Sequence, residues 1–184
     1  MLGTRPPMMF GHAVNALLLH GLPQPLPDRC LRRMRHLGVD PDLIQPAYPI
    51  ELWVALLELL REELFSELPV AEGYRQLGRH MVNGFVKGPM GRAVAGSVRL
   101  AGPDRMLRSL SWVLRSASNF METSIDALGR NHYRVTLNTR IPEPGYNEGV
   151  LDAMLRHAGA EEIVVAPGVW RDDGRLSIEV RWGG

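Results

Sequence analysis

Hydrophobic residues recur every three or four positions up to about residue 120, and mainly every second position beyond it. The first spacing is typical of amphipathic helices and the second of half-buried strands. The pattern predicts a mixed α+β fold, with a helical N-terminal half followed by a β-β-α-β-β unit built from antiparallel hairpins. We expect a single domain over residues 1–184. It comprises an N-terminal helix and proline-rich linker at 1–26, a helical part at 27–120 and the β-β-α-β-β part at 121–184.

The helical half is predicted to hold helices at residues 10–22, 28–36, 49–64, 69 to about 85, and 103–118. Asp28 is placed to cap the second helix and Gly38 to end it, while Pro49 suits the first turn of the third. Small residues follow Phe85 at helical spacing. They indicate close helix packing or a break near Gly88, and less readily a seat for a ligand.

The C-terminal part is predicted to contain two hairpins around one helix. Strands at 121–127 and 132–141 are joined by a turn at 128–131, and strands at 162–170 and 175–182 surround the turn at 172–174. Asn147 is placed to cap the intervening helix, which ends near Gly159.

Composition narrows the function classes. The 184 residues carry 21 basic and 20 acidic side chains, so the formal charge of +1 excludes a nucleic-acid binder driven by bulk charge. The single cysteine, Cys30, excludes an internal disulfide. No targeting signal or apolar stretch long enough for a membrane span is evident, so we expect a cytoplasmic protein.

Motifs for catalysis and metal binding are missing from the sequence. The six histidines fall on different predicted elements, and there is no Gly-x-Ser-x-Gly motif or paired Cys-x-x-Cys motif. Cys30 lies beside arginines that could lower its pKa, but it has no evident histidine base. We therefore expect no metal site, no catalytic residues and a protein that is not an enzyme.

Two sets of residues are candidates for binding. The first is an apolar and aromatic set that could line a pocket: Trp53, Tyr74, His80, Met81, Phe85 and Phe120. The alternative is ordinary core packing, with His80 as a hydrogen-bonded core histidine. The second set shares one face of the helix after Pro103 and could bind a protein partner: Arg105, Arg108, Trp112 and Arg115. Its alternative is an arginine stacked on a half-buried tryptophan within one chain.

Short motifs spread over most of the chain resemble those of a family of unknown function found chiefly in myxobacteria. They are, in order, 37–40 (LGVD), 47–49 (AYP) with Trp53, 77–79 (LGR), 84–85 (GF), 91–92 (GR) and 100–103 (LAGP). That family is more distantly similar to the 4-vinyl reductase type of ligand-binding domain, the small TRAPP subunits and the haem nitric-oxide-binding domains. The closing run at 176–182 is similar to their last strand.

The resemblance implies a non-enzymatic ligand-binding or signalling module that encloses an apolar or aromatic small molecule between the central helices and the hairpins. The competing hypothesis is an interaction or assembly module with a filled core, acting through a homodimer or another protein partner. Residues 165–170 contain no cysteine, so the zinc site of the vinyl-reductase type should be absent. No histidine here matches the haem ligand, Cys30 does not match the acyl-attachment cysteine of the TRAPP subunits, and no cofactor is predicted.

Overall fold

The computed structural model describes residues 6–183, apart from the side chains of residues 89–90 and 93–100. The helices are α1 (Gly11–Asn15), α2 (Asp28–Leu37), α3 (Ile50–Leu64), α4 (Val70–Lys87), α5 (Pro89–Arg108), α6 (Leu110–Ala117) and α7 (Tyr146–His157). The strands are β1 (Met8–Phe10), β2 (Ala47–Pro49), β3 (Thr123–Gly129), β4 (His132–Leu137), β5 (Glu161–Val165), β6 (Val169–Trp170) and β7 (Leu176–Gly183). The α+β fold class with antiparallel pairing is confirmed.

Prolines set the starts of the central helices. Pro27, Pro49 and Pro69 each occupy the N-cap position in extended backbone, at the start of α2, α3 and α4. The prediction that Asp28 caps α2 was wrong, because Pro27 takes that position and Asp28 lies in the first turn, where its charge faces the positive end of the helix. Gly38 ends α2 as predicted, with a φ of 94°.

The N-terminal segment is more divided than the predicted helix at 10–22. Phe10 lies in β1, which pairs antiparallel with β2, and the sequence pattern predicted neither strand. After α1 the chain continues as a π-helix, Ala16–Gly21, which brings Gly21 against α4. This wider turn seats the N-terminal segment on the helical core.

The stretch from α4 to α6 bends at three points. Gly88 is extended between α4 and α5, which confirms the predicted break there. Gly102, with a φ of 80° and a ψ of 171°, interrupts α5, and the helix restarts at Pro103 as predicted. Ser109, with a ψ near 0°, then separates α5 from α6, so the predicted helix at 103–118 is two helices.

The main sheet has five strands in the order β3-β4-β7-β5, with β6 also paired to β7. The alternation predicted for β7 is confirmed, because Leu176, Ile178, Val180 and Trp182 are all buried. The single strand predicted at 162–170 was wrong: residues 166–168 separate β5 from β6, and both pair with β7. Asn147 does not cap α7 either, since Gly145 occupies the N-cap and Asn147 lies in the first turn.

Helix α4 lies at the centre and contacts its neighbours through glycines. Gly78 approaches the backbone of α7 at Tyr146, and Gly84 approaches the carbonyl of Ala16, so close that neither position has room for a Cβ. One apolar cluster gathers α1 to α4, and the second joins α5, α6 and α7 to the main sheet. Small residues thus hold together the helices that flank the space between the two clusters.

Candidate ligand-binding cavity

A cavity of about 890 Å³ lies between α4, the α5–α6 pair, α7 and the C-terminal end of β4. Its volume falls within the ~300–1,000 Å³ range of small-molecule sites. Helices α6 and α7 contribute more lining residues than any other element, because residues three or four apart share one face of a helix. The wall is mainly apolar, and its members include Met81, Phe85, Leu110, Val113, Leu151 and Met154.

Asn147 places a polar amide in this apolar wall. Its side chain is only 5% exposed, and its Nδ2 has no hydrogen-bond partner among the described residues. An unpaired buried donor costs about 1–3 kcal/mol, which is why such groups are rare in folded proteins. The nitrogen is enclosed by protein atoms, so the unpaired donor is a cost to the fold and is not a contact offered to a molecule in the cavity.

Among the residues whose side chains the structure describes, the charged ones on the wall are both basic. Arg105 and Arg156 contribute to it, and no described Asp or Glu does. Arg156 is neutralised by Asp152, whose Oδ2 and Oδ1 accept hydrogen bonds of 3.1 and 3.0 Å from it. Burial opposes ionisation of Asp152, but the hydrogen bonds from Arg156 and Arg79 outweigh it and hold the pKa of this carboxyl below its ordinary value.

His157 is the one histidine on the wall among the described residues. Its Nε2 is 2.8 Å from Oδ1 of Asn83, and burial lowers the pKa of the imidazole below its ordinary 6.5. The ring is therefore neutral at pH 7, and we assign its Nε2 proton to the hydrogen bond with Asn83.

The structure places three of the six predicted pocket residues, Met81, Phe85 and Phe120, on the cavity wall. The other three lie elsewhere. Trp53 is buried with its ring edge-on to Tyr146, Tyr74 is buried in the helical cluster, and His80 stacks on Phe65 with its Nδ1 2.9 Å from the carbonyl oxygen of Gly21. The hydrogen bond to Gly21 agrees with the alternative interpretation of His80 as a hydrogen-bonded core histidine. Ligand binding by the set stays a prediction.

The predicted partner face is exposed. Arg105, Arg108, Trp112 and Arg115 are all solvent-accessible, and the indole of Trp112 is 67% exposed. Arg105 and Trp112 also contribute to the cavity wall. Residues that are both exposed and on the wall mark the mouth, so the predicted partner face borders the opening of the cavity.

Sequence reasoning missed the contribution of α7 and α6 to the wall. Leu151 and Met154 were assigned to the apolar stripe of a core helix, and the period of that stripe is the same whether it faces a core or a cavity. No local feature of the sequence distinguishes Asn147 from a helix cap. The hydrogen-bond partner of His157 could not be predicted either, because Asn83 is 74 positions away in the sequence.

Reactive and metal-binding groups are sparse in the described part of the chain. Cys30 is buried, and desolvation together with Glu63 raises its pKa to about 11, although Arg33 acts in the opposite direction. Arg33 lowers the pKa of the thiol as expected of a neighbouring arginine, but burial disfavours the thiolate more than the arginine favours it. No group of three or more His, Cys, Asp or Glu side chains among these residues is arranged to hold a metal ion. None of their helices combines the length and apolar character needed to cross a membrane.

A protein family of unknown function, DUF2378, matches residues 8–183. The chain belongs to this family. The match confirms the expected membership of a family of unknown function. No curated protein matches the sequence.

Solved structures similar to this DUF2378 protein include H-NOX domains, the haem nitric-oxide-binding class named in the resemblance. An H-NOX protein from S. oneidensis in the Fe(II)NO state superposes with a TM-score of 0.71 at 10% identity, covering 96% of this chain and 100% of that one. An oxygen-binding H-NOX domain related to soluble guanylate cyclases gives 0.65 at 13% identity, with 96% of each chain covered. An A71G mutant H-NOX protein from K. algicida gives 0.66 at 11%, covering 96% and 97%. These likenesses establish a shared fold.

The donor set on the wall does not fit a haem group. Haem iron is held by histidine, cysteinate, tyrosinate, or methionine together with histidine. On the described wall, the Nε2 of His157 is engaged by Asn83, and burial raises the pKa of Tyr146, which keeps its phenol neutral. Cys30 lies outside the wall, and the undescribed side chains include no histidine, cysteine or tyrosine. The Nδ1 of His157 adjoins the Cβ of the side chain, which would crowd a porphyrin plane, so apart from methionine thioethers the described wall offers no unhindered haem ligand.

Proposed function

We propose that this DUF2378 protein is a non-enzymatic, cytoplasmic ligand-binding or signalling module whose cavity encloses an apolar or aromatic small molecule without a metal. The observation that carries the proposal is the apolar cavity of about 890 Å³ between α4, α5–α6 and α7. The side chains around a cavity of this size lack the van der Waals contacts that stabilise a filled core. A bound molecule would supply those contacts.

The fold adds general support, because a similar fold in H-NOX proteins holds ligands such as oxygen and NO. The more distant likenesses to 4-vinyl reductase domains and TRAPP subunits, and the myxobacterial distribution, belong to this proposal as expectations.

The first test is native mass spectrometry of the purified protein, with an absorbance spectrum of the same sample. An added mass without a Soret band supports a metal-free retained ligand, whereas a Soret band would refute the metal-free assignment. If the protein carries nothing, binding of the neutral apolar dye Nile red decides whether the cavity accepts an apolar molecule.

A cavity-filling variant locates the bound dye. Val113→Trp adds an indole to the wall, and we expect it to reduce dye binding at least about tenfold by occupying the space. The matched control is Val70→Trp, at an exposed position outside the wall. Equal binding by both variants would place the dye elsewhere. Phe85→Ala should also abolish retention of a ligand, but it removes core packing worth about 3–5 kcal/mol and therefore needs a parallel measurement of stability.

The second candidate function is an assembly module that acts through a homodimer or protein partner. The exposure of Trp112 among three exposed arginines favours it, because tryptophan and arginine are enriched at binding hot spots. Trp112→Ala combined with Arg108→Ala should then change the oligomeric mass in light scattering or the capture of a partner, with stability nearly unchanged. No change in mass or capture would eliminate this function.

A further inference from the structure

The cavity opens beside Arg105, an arginine without an ionic partner among the described residues. Arg105 is exposed and on the wall, and no carboxylate of the described residues forms an ion pair with it. Its chain neighbour Asp104 instead accepts a hydrogen bond of 2.7 Å from the hydroxyl of Tyr133. Among the described residues, the other charged side chain on the wall is Arg156, which is compensated by Asp152. The uncompensated charge on the described wall is therefore positive and belongs to Arg105.

This charge distribution defines a complementary ligand. The interior disfavours a charged group, since an isolated carboxylate buried in apolar surroundings loses its hydration. At the mouth a carboxylate keeps contact with water while a guanidinium binds it through two parallel hydrogen bonds. Trp112, exposed at the same mouth, offers an apolar surface for the first carbons below such a head group.

We propose that the ligand of this cavity is an aliphatic carboxylate, with its chain among the side chains of α4, α6 and α7 and its carboxylate on Arg105. The inference rests on the proposed ligand-binding function and adds the class of the ligand. Charge complementarity selects an acid over a neutral hydrocarbon, which the apolar wall alone would accept equally well.

The test measures displacement of Nile red by dodecanoate and by methyl dodecanoate, which share the same chain but differ in charge. We expect dodecanoate to bind at least about tenfold more tightly than the ester, because a charge-assisted hydrogen bond is stronger than a neutral one. Arg105→Gln should abolish that preference, and Arg105→Lys should restore part of it. Arg115→Gln is the matched control, since Arg115 is exposed on the same face and lies outside the wall.

The outcomes separate the two levels of the proposal. If the acid and the ester displace the dye equally, or if Arg105→Gln leaves the preference intact, the carboxylate assignment is overturned while the apolar cavity stands. If the dye binds and neither compound displaces it, the aliphatic class is wrong. If the wild-type protein binds no dye and carries no added mass, the proposed function itself fails.

Discussion

The contact between α4 and α7 fixes one side of the cavity, and a single methyl group at Gly78 tests how rigid it is. A Cβ there would overlap the carbonyl oxygen of Tyr146 and lie 2.8 Å from the amide nitrogen of Val150. Both neighbours are backbone atoms, so no change of rotamer relieves the overlap and the helices must separate. The matched position is Gly73 on the same helix, where the nearest atom is Cγ of the flexible Arg61 side chain, at 2.9 Å.

The expected magnitudes follow from two opposing effects. Alanine is favoured over glycine in a helix by about 0.5–1 kcal/mol, and this gain applies at both positions. Overpacking costs about 1–3 kcal/mol in cores that can adjust, so a clash with backbone falls at the upper end. We expect Gly78→Ala to lose about 2 kcal/mol of unfolding free energy, and Gly73→Ala to remain within about 0.5 kcal/mol of the wild type.

Urea denaturation followed by far-UV circular dichroism measures both variants against the wild type at the same pH. Nile red binding, measured on the same samples below the transition, reports the cavity, and separation of α4 from α7 should weaken it only in Gly78→Ala. Equal stability of the two variants would refute the reasoning, because it would mean that the helices part without cost at this crossing.

Three further predictions concern electrostatics and backbone strain, each measured by urea unfolding. Asp152→Asn should lower the unfolding free energy by about 2 kcal/mol, because it removes a buried carboxylate that accepts hydrogen bonds from two arginines. Its control is Asp173→Asn, in an exposed ion pair, which should lower the unfolding free energy by less than about 0.5 kcal/mol. Because burial lowers the pKa of His157, the unfolded chain takes up a proton before the folded one as the pH falls below about 6.5. Stability should therefore decrease on acidification, and less in His157→Gln; an identical decrease in both would contradict the assignment. Gly38→Ala should cost about 1 kcal/mol through its positive φ alone, since nothing lies within 4 Å of the new methyl.

Elements that depend on local chemistry could be predicted from the sequence. Helix α3 starts after Pro49 and ends at Leu64 within a residue of its predicted bounds, because its apolar period and the proline act over neighbouring positions. Strands β1 and β2 could not be predicted, since each has three residues and exists only by pairing with a partner nearly forty positions away. The break between α5 and α6 at Ser109 could not be predicted either, because the apolar residues keep their helical spacing across it.

The candidate site was predictable only in part, for a related reason. The apolar period identifies residues that leave water, and Met81 and Phe85 were found in that way. Whether the space they face is filled depends on how far the opposite helices stand from α4, which glycine contacts and backbone bends determine together. The spacing of apolar residues along the sequence carries no information about that distance. Trp53 and Phe85 were therefore equally good candidates for the pocket, although only Phe85 lies on the cavity wall.

The two candidate functions share residues, and this determines which variants can distinguish them. Arg105 and Trp112 lie both on the exposed face and at the cavity mouth, so substitution of either would affect a ligand and a partner alike. Val113→Trp fills the interior and leaves the four residues of the exposed face intact, whereas Arg115→Gln alters that face without touching the wall. Loss of dye binding in Val113→Trp alone would support a ligand module, and loss of assembly in Arg115→Gln alone would support a partner surface. If Val113→Trp lost only dye binding and Arg115→Gln lost only assembly, the protein would have both functions. A ligand in the cavity could then alter the contact with a partner at the mouth, because Trp112 would contact the ligand and the partner.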